Sequence, residues 1–123
     1  FGCGGDRDPS KRAPMGSAVA LNSDWALLTS DNPRTEDPTQ IADAVIVGLE
    51  AAGACRGGLE NHRAYEVELD RSVAIASAIQ NATPKDCILI AGKGHEDYQI
   101  IGTVKRSFDD RKEAFKVLEG LRA

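Results

Sequence analysis

Trp25-Ala26-Leu27-Leu28-Thr29-Ser30-Asp31-Asn32-Pro33-Arg34-Thr35-Glu36-Asp37-Pro38 compresses a strand, a turn and a helix start into one short stretch. The apolar run Trp25 to Leu28 is too short for a helix and leaves through turn-forming residues, so it reads as a buried strand. Asp37-Pro38 reads as an N-cap followed by proline at the first helical position. Behind it Ile41, Ala44, Val45, Gly48, Leu49 and Ala52 recur at helical spacing, and Gly53 supplies the stop.

The same alternation continues along the chain. Tyr65, Val67 and Leu69 alternate with Glu66, Glu68 and Asp70, a strand with one exposed face. Arg71 to about Gln80 returns to helical spacing with Asp70 as its cap, and Thr83 to Asp86 is a turn. Cys87-Ile88-Leu89-Ile90-Ala91 is continuously apolar, as expected of a central strand covered on both faces, with Cys87 a buried thiol. Tyr98 to Ile101 and Val104 to Arg106 flank Gly102-Thr103 as two short strands about a turn. Asp109 caps a last helix whose Ala114, Val117, Leu118 and Leu121 form one stripe. Asp70-Arg71 and Asp109-Asp110 are accounted for by capping and the helix dipole. Strands alternating with helices require crossover connections, which gives the α/β class: a mostly parallel sheet with helices on both faces. Phe1-Gly2-Cys3 reads as the exit of a strand, so the first strand is expected to be truncated.

Composition narrows the function classes. Lys and Arg total 15 against 19 Asp and Glu, a net charge of −4, which argues against a nucleic-acid surface built on clustered cations. No apolar run approaches a membrane span and no signal peptide opens the chain. Cys3, Cys55 and Cys87 are few and widely spaced, and the only histidines are His62 and His95. That pattern predicts no metal site and a reducing, cytoplasmic compartment.

Folds of this class place ligands at the C-terminal ends of their strands. The three loops leaving apparent strands are Gly4 to Arg12, Ser30 to Glu36 and Gly92 to Asp97, and they are the most unusual stretches in the chain. In the first, Gly2-Cys3-Gly4-Gly5-Asp6-Arg7-Asp8 precedes Ser10-Lys11-Arg12. It matches neither the dinucleotide fingerprint nor a phosphate loop, and a tight turn with a solvated charge cluster is equally open. In the second, Asp31-Asn32-Pro33-Arg34 offers a planar guanidinium suited to a carboxylate and an amide that both donates and accepts. An Asx-type turn with an exposed arginine explains it as well. In the third, Gly92-Lys93-Gly94-His95-Glu96-Asp97 offers backbone contacts and a carboxylate for an ammonium group. Lys93 there either meets phosphate or is solvated, and a lone His95 is more often structural than catalytic.

In this order, and across essentially the whole chain, Gly2 to Asp8 with Lys11-Arg12, Asp31-Asn32-Pro33-Arg34, and Gly92-Lys93-Gly94-His95-Glu96 together resemble the C-terminal domain of MurE-type Mur ligases. The resemblance implies a Rossmann-like, amino-acid-binding domain over residues 1–123. Asp-Asn-Pro-Arg is the family's signature for members that add meso-diaminopimelate; lysine-adding relatives differ at the Arg position. The implied reaction activates UDP-N-acetylmuramoyl-L-alanyl-D-glutamate with ATP and Mg²⁺ as an acyl phosphate, which the amine of meso-diaminopimelate then attacks. Carried onto this sequence, the family pattern implies that Arg7, Asp31, Asn32, Pro33, Arg34, Gly92 and Glu96 line the amino-acid pocket. Asp6 and Lys11 would approach the nucleotide, and no residue of this domain is implied to be catalytic.

No Gly-Thr-x-Gly-Lys-Thr loop and no carbamylated-lysine or Mg²⁺ segment occurs in the chain. The resemblance implies that ATP and Mg²⁺ are bound mainly outside it, by central and N-terminal domains of the same enzyme. The expectation is an excised domain, inactive as a ligase alone, without nucleic-acid or membrane partners. Two other readings remain: a non-catalytic α/β binding module, and a Mur ligase adding a different amino acid such as L-lysine.

Overall fold

A computed structural model describes residues 1–122. After a 3-10 turn at Pro9–Lys11 come α1 (Arg12–Asn22), β1 (Trp25–Leu28), α2 (Pro38–Ala51), β2 (Cys55–Arg56) and β3 (Ala64–Val67). The chain continues through α3 (Arg71–Asn81), β4 (Tyr98–Ile101), β5 (Val104–Ser107) and α4 (Asp110–Leu121). β1, β3 and β2 form a parallel sheet in the order β1-β3-β2, with Trp25 opposite Ala64 and Leu28 opposite Val67. β4 and β5 form a separate antiparallel hairpin, closed by Gly102 at φ +61°. Phe1 pairs with the free edge of β1: its nitrogen donates to the Leu27 carbonyl and its carbonyl accepts from Thr29 N–H.

The strand and helix expectations built on Trp25, Asp37, Tyr65, Asp70 and Asp109 coincide with these elements. Asp37 caps α2 through Thr39 N–H, Asp70 caps α3 through Val73 N–H, and Asp109 caps α4 through Arg111 and Lys112 N–H. On one sheet face Ala26, Leu28 and Tyr65 pack with Ile41, Val45 and Leu49 of α2 and Ala20 of α1. On the other, Leu27 lies with Val73 and Ser77 of α3. A second cluster joins Ile75 and Ile79 of α3 to Phe108, with Ala114 and Val117 of α4 against it.

Four expectations change. Cys87 to Ala91 belongs to no strand, and Cys87, Ile88 and Leu89 are exposed rather than buried. A cleft of about 480 Å³, walled in part by Leu27, Ile75, Ala78 and Ile90, separates this run from β1. Without a hydrogen-bonded neighbour among the described residues, an apolar run has no ladder to join. Leu118 and Leu121 are exposed too, because α4 lies against α3 along only one edge and nothing described covers its far side.

Third, α1 was not expected, since Pro14 and Gly16 weaken its helical signal. Tertiary packing reverses that judgement: a Cβ at Gly48 would collide with the Ala13 carbonyl, and one at Gly16 with the Val45 carbonyl. These glycines let α1 and α2 cross at backbone contact, which burial of their shared face rewards. Fourth, Arg71 and Asp110 do more than begin their helices. Arg71 is buried and donates from Nε and Nη2 to the two oxygens of Asp110 at 2.8 and 2.7 Å. The same guanidinium donates to the carbonyls of Ser30 and Ala91, which lie at the roots of two site loops.

Candidate amino-acid-binding site

β1 ends where Thr29 and Ser30 are buried, and the chain then turns through Asp31 to Arg34. Pro33 and Asn32 are buried in that turn, and Arg34 is left-handed at φ +53°. The hairpin fixes this unusual conformation. Arg34 N–H donates to the Ile100 carbonyl at 3.1 Å, and Gly102 N–H donates to the Arg34 carbonyl at 2.7 Å. Gln99, buried within β4, donates its amide to the Asp31 carbonyl at 2.9 Å while its oxygen accepts from Arg106.

The glycine loop closes on the same turn from the other side. Gly5 N–H donates to the Asn32 carbonyl at 2.8 Å, and a Cβ at Gly5 would collide with the Pro33 carbonyl, so only glycine allows this approach. Arg34 Nη1 donates back to the Gly5 carbonyl at 2.9 Å. Arg34 Nη1 and the Arg7 side chain both flank Gly4, within 3.1 and 3.7 Å of where its Cβ would be. Arg7 is exposed and donates Nη1 to the Asp6 carbonyl.

Asp6 is committed elsewhere. Its carboxylate accepts from Thr35 Oγ and Thr35 N–H, and these bonds hold its pKa below the ordinary carboxylate value. Glu36 accepts from the buried Arg12 at 2.7 Å and from Asp6 N–H, and Arg12 likewise holds the Glu36 pKa down. Arg12 also reaches the Gly4 carbonyl, which ties the first two loops together. Lys11 stays exposed on the 3-10 turn.

The third loop completes the ring. Gly92, at φ +119°, passes close to Gly2 and the Asp31 carboxylate. Lys93 is neither solvated nor available to a phosphate; it is 2 % exposed and its ammonium lies 2.9 Å from each of Asn32 Oδ1, the Tyr98 carbonyl and Asp31 Oδ1. Glu96 is partly exposed, receives Asn32 Nδ2 at 3.4 Å, and pushes the Tyr98 phenol pKa up by hydrogen bonding to it. His95 is exposed.

Asp31, Asn32, Pro33, Arg34, Gly92 and Glu96 therefore meet at one place, with Arg7 at its rim, while Asp6 serves to lock two loops. Sequence reasoning missed Arg12, Lys93, Gln99 and the Arg71–Asp110 pair as builders of the site. A glutamine amid the apolar positions of β4 and a lysine between two glycines were the only signals. Chemically, guanidinium groups beside a carboxylate suit a ligand carrying both a carboxylate and an ammonium group.

The chain is similar to proteins of one known family. The family described as Mur ligase, glutamate ligase domain, matches residues 1–94. The UDP-N-acetylmuramoyl-L-alanyl-D-glutamate–2,6-diaminopimelate ligase of Prochlorococcus marinus (strain MIT 9313) is 52% identical over 119 residues, covering 97% of this chain and 22% of that protein. The ligase of the same name from Lactiplantibacillus plantarum (strain ATCC BAA-793 / NCIMB 8826 / WCFS1) is 51% identical over 117 residues, 95% of this chain and 22% of its own. A solved structure of a ligase bearing that name superposes with a TM-score of 0.85 at 40% identity, covering 100% of this chain and 23% of that one. The chain thus spans about a fifth of the length of the curated relatives it matches. With the family matched over most of its length and relatives above half identity across nearly all of it, this chain belongs to the Mur ligase family, as its C-terminal, glutamate ligase domain.

Proposed function

We propose that this domain receives meso-diaminopimelate within a longer ATP-dependent ligase and presents its amine to UDP-N-acetylmuramoyl-L-alanyl-D-glutamate activated as an acyl phosphate. The observation that carries this reading is the setting of Arg34. Its Nη1 is anchored on the Gly5 carbonyl, and no hydrogen bond engages its Nε or Nη2 among the described residues, so one edge of the guanidinium is free for a carboxylate. Arg34, with Asn32 and Arg7, holds the distal carboxylate, Asp31 and Gly92 shape the wall beside it, and Pro33 stiffens the turn. Glu96 takes the distal ammonium. Lysine lacks the distal carboxylate and would leave Arg34 desolvated without a partner, at a cost of about 2–5 kcal/mol.

The domain's contribution to rate is positioning: it converts the meeting of amine and acyl phosphate into a local event. No group of three or more His, Cys, Asp or Glu placed to hold a metal occurs among the described residues, and the sequence has no phosphate loop. The residues here therefore do not fit Mg²⁺ or the ATP phosphates, and this reading places both on the remainder of the longer protein, with exposed Lys11 nearest to them. Because the co-substrates are ATP and a nucleotide-linked sugar peptide, the reading places the enzyme in the cytoplasm. No helix among the described residues is long and apolar enough to cross a membrane.

The test is steady-state phosphate release by the full-length protein with meso-diaminopimelate or L-lysine. Arg34→Ala should raise KM for meso-diaminopimelate by more than roughly tenfold and erase the preference over lysine. Unchanged KM and preference would overturn the assignment. Residues 1–123 alone should release no phosphate with all substrates present.

A further inference from the structure

Lys93 is 2 % exposed, at the centre of the candidate site and in contact with Asn32, Asp31 and the Tyr98 carbonyl. Lys93 donates hydrogen bonds to Asn32 Oδ1 and to the Tyr98 carbonyl, both at 2.9 Å, and forms an ion pair with Asp31 Oδ1 at 2.9 Å without a hydrogen bond to it. Asn32 Oδ1 takes a second bond from Ile100 N–H, also at 2.9 Å. Both lone pairs of that oxygen are therefore occupied by donors. If the amide turned over, its NH2 would face an ammonium and a backbone N–H in a buried position, donor against donor, with every bond lost. The amide is thus held in one orientation, and its Nδ2 must point to the Glu96 side.

Resting on the diaminopimelate-pocket reading above, we propose that Lys93 is a positioning residue that makes Asn32 a pure donor toward the ligand and so selects a carboxylate there. An unconstrained asparagine can turn either its oxygen or its nitrogen to a ligand and would accept an ammonium equally well. Lys93 removes that choice.

The test is a double-mutant cycle in the full-length ligase with Lys93→Met, Asn32→Ala and the pair together. Lys93→Met should raise KM for meso-diaminopimelate roughly tenfold while KM for ATP and for the UDP-linked substrate stays put. Asn32→Ala should do the same, and the double variant should be no worse than Asn32→Ala, because Lys93 acts through Asn32. Effects that multiply, or a Lys93→Met variant in which all three KM values rise together, would overturn the proposal. If Asn32→Ala and Arg34→Ala both leave KM for meso-diaminopimelate unchanged, the pocket reading itself fails, which is a separate result. Should Lys93→Met not fold, a crystal structure of the wild-type ligase with meso-diaminopimelate decides. Asn32 Nδ2 bonded to a ligand carboxylate, with Lys93 still on Asn32, supports positioning, and Lys93 bonded to the ligand itself overturns it.

Discussion

Arg34 holds its side chain at the centre of the site from a left-handed backbone at φ +53°, a conformation that costs a residue with a Cβ about 1–2 kcal/mol. The hairpin's two backbone bonds to Arg34 maintain it. Arg34→Gly and Arg34→Ala both remove the guanidinium, but glycine carries no penalty there. Arg34→Gly should therefore unfold in urea with about 1 kcal/mol more stability than Arg34→Ala, although both lose the guanidinium on which the proposed ligand preference rests. Equal stabilities would show the turn is not strained. Asp6 offers a prediction in pH. Its pKa is depressed by the hydrogen bonds from the Thr35 hydroxyl and N–H. The stability it adds is complete above the ordinary carboxylate value and disappears as pH falls through the depressed one. The stability gap between the wild type and Thr35→Val should thus be widest at neutral pH and shrink in acid, as followed by urea titrations across that range.

At the scale of elements, the α1–α2 crossing depends on glycine. Gly48→Ala would force a methyl group against the Ala13 carbonyl, and overpacking of this kind typically costs about 1–3 kcal/mol. Thermal unfolding should register that loss even though alanine is the better helix former. A stability gain would mean the helices can separate at no cost. The elements themselves were largely readable before any coordinates: caps at Asp37, Asp70 and Asp109 and the period-2 alternation around Tyr65 are local signals, and the backbone obeys them. The exceptions share a cause. α1 and the 87–91 run depend on what lies beside them, close packing in one case and no ladder partner in the other, and neither is encoded within the segment.

For the molecule as a whole, the Arg71–Asp110 pair joins α3 and α4 to the roots of the second and third loops. Removing one partner leaves a buried charge alone, so Arg71→Met should cost about 3–5 kcal/mol. Arg71→Met with Asp110→Leu should regain much of it, short of the bonds lost to the Ser30 and Ala91 carbonyls. Urea unfolding of the two variants beside the wild type checks this, and equal destabilisation of single and double variants would show that the charge pairing contributes nothing. The Asp31–Arg34 turn with its strand before and helix after needed only sequence: apolar run, proline, cap and spacing are local properties that act on the backbone directly. The expected class of ligand rests on the resemblance of three loops to a known family, because their residue types alone fit solvated turns as well. The tertiary structure alone decided which way those groups face. In the sequence Lys93 reads as solvated or phosphate-binding and Arg71 as part of a capped helix start, until distant residues close around them, because the burial of a charge and the partners that offset it are properties of packing.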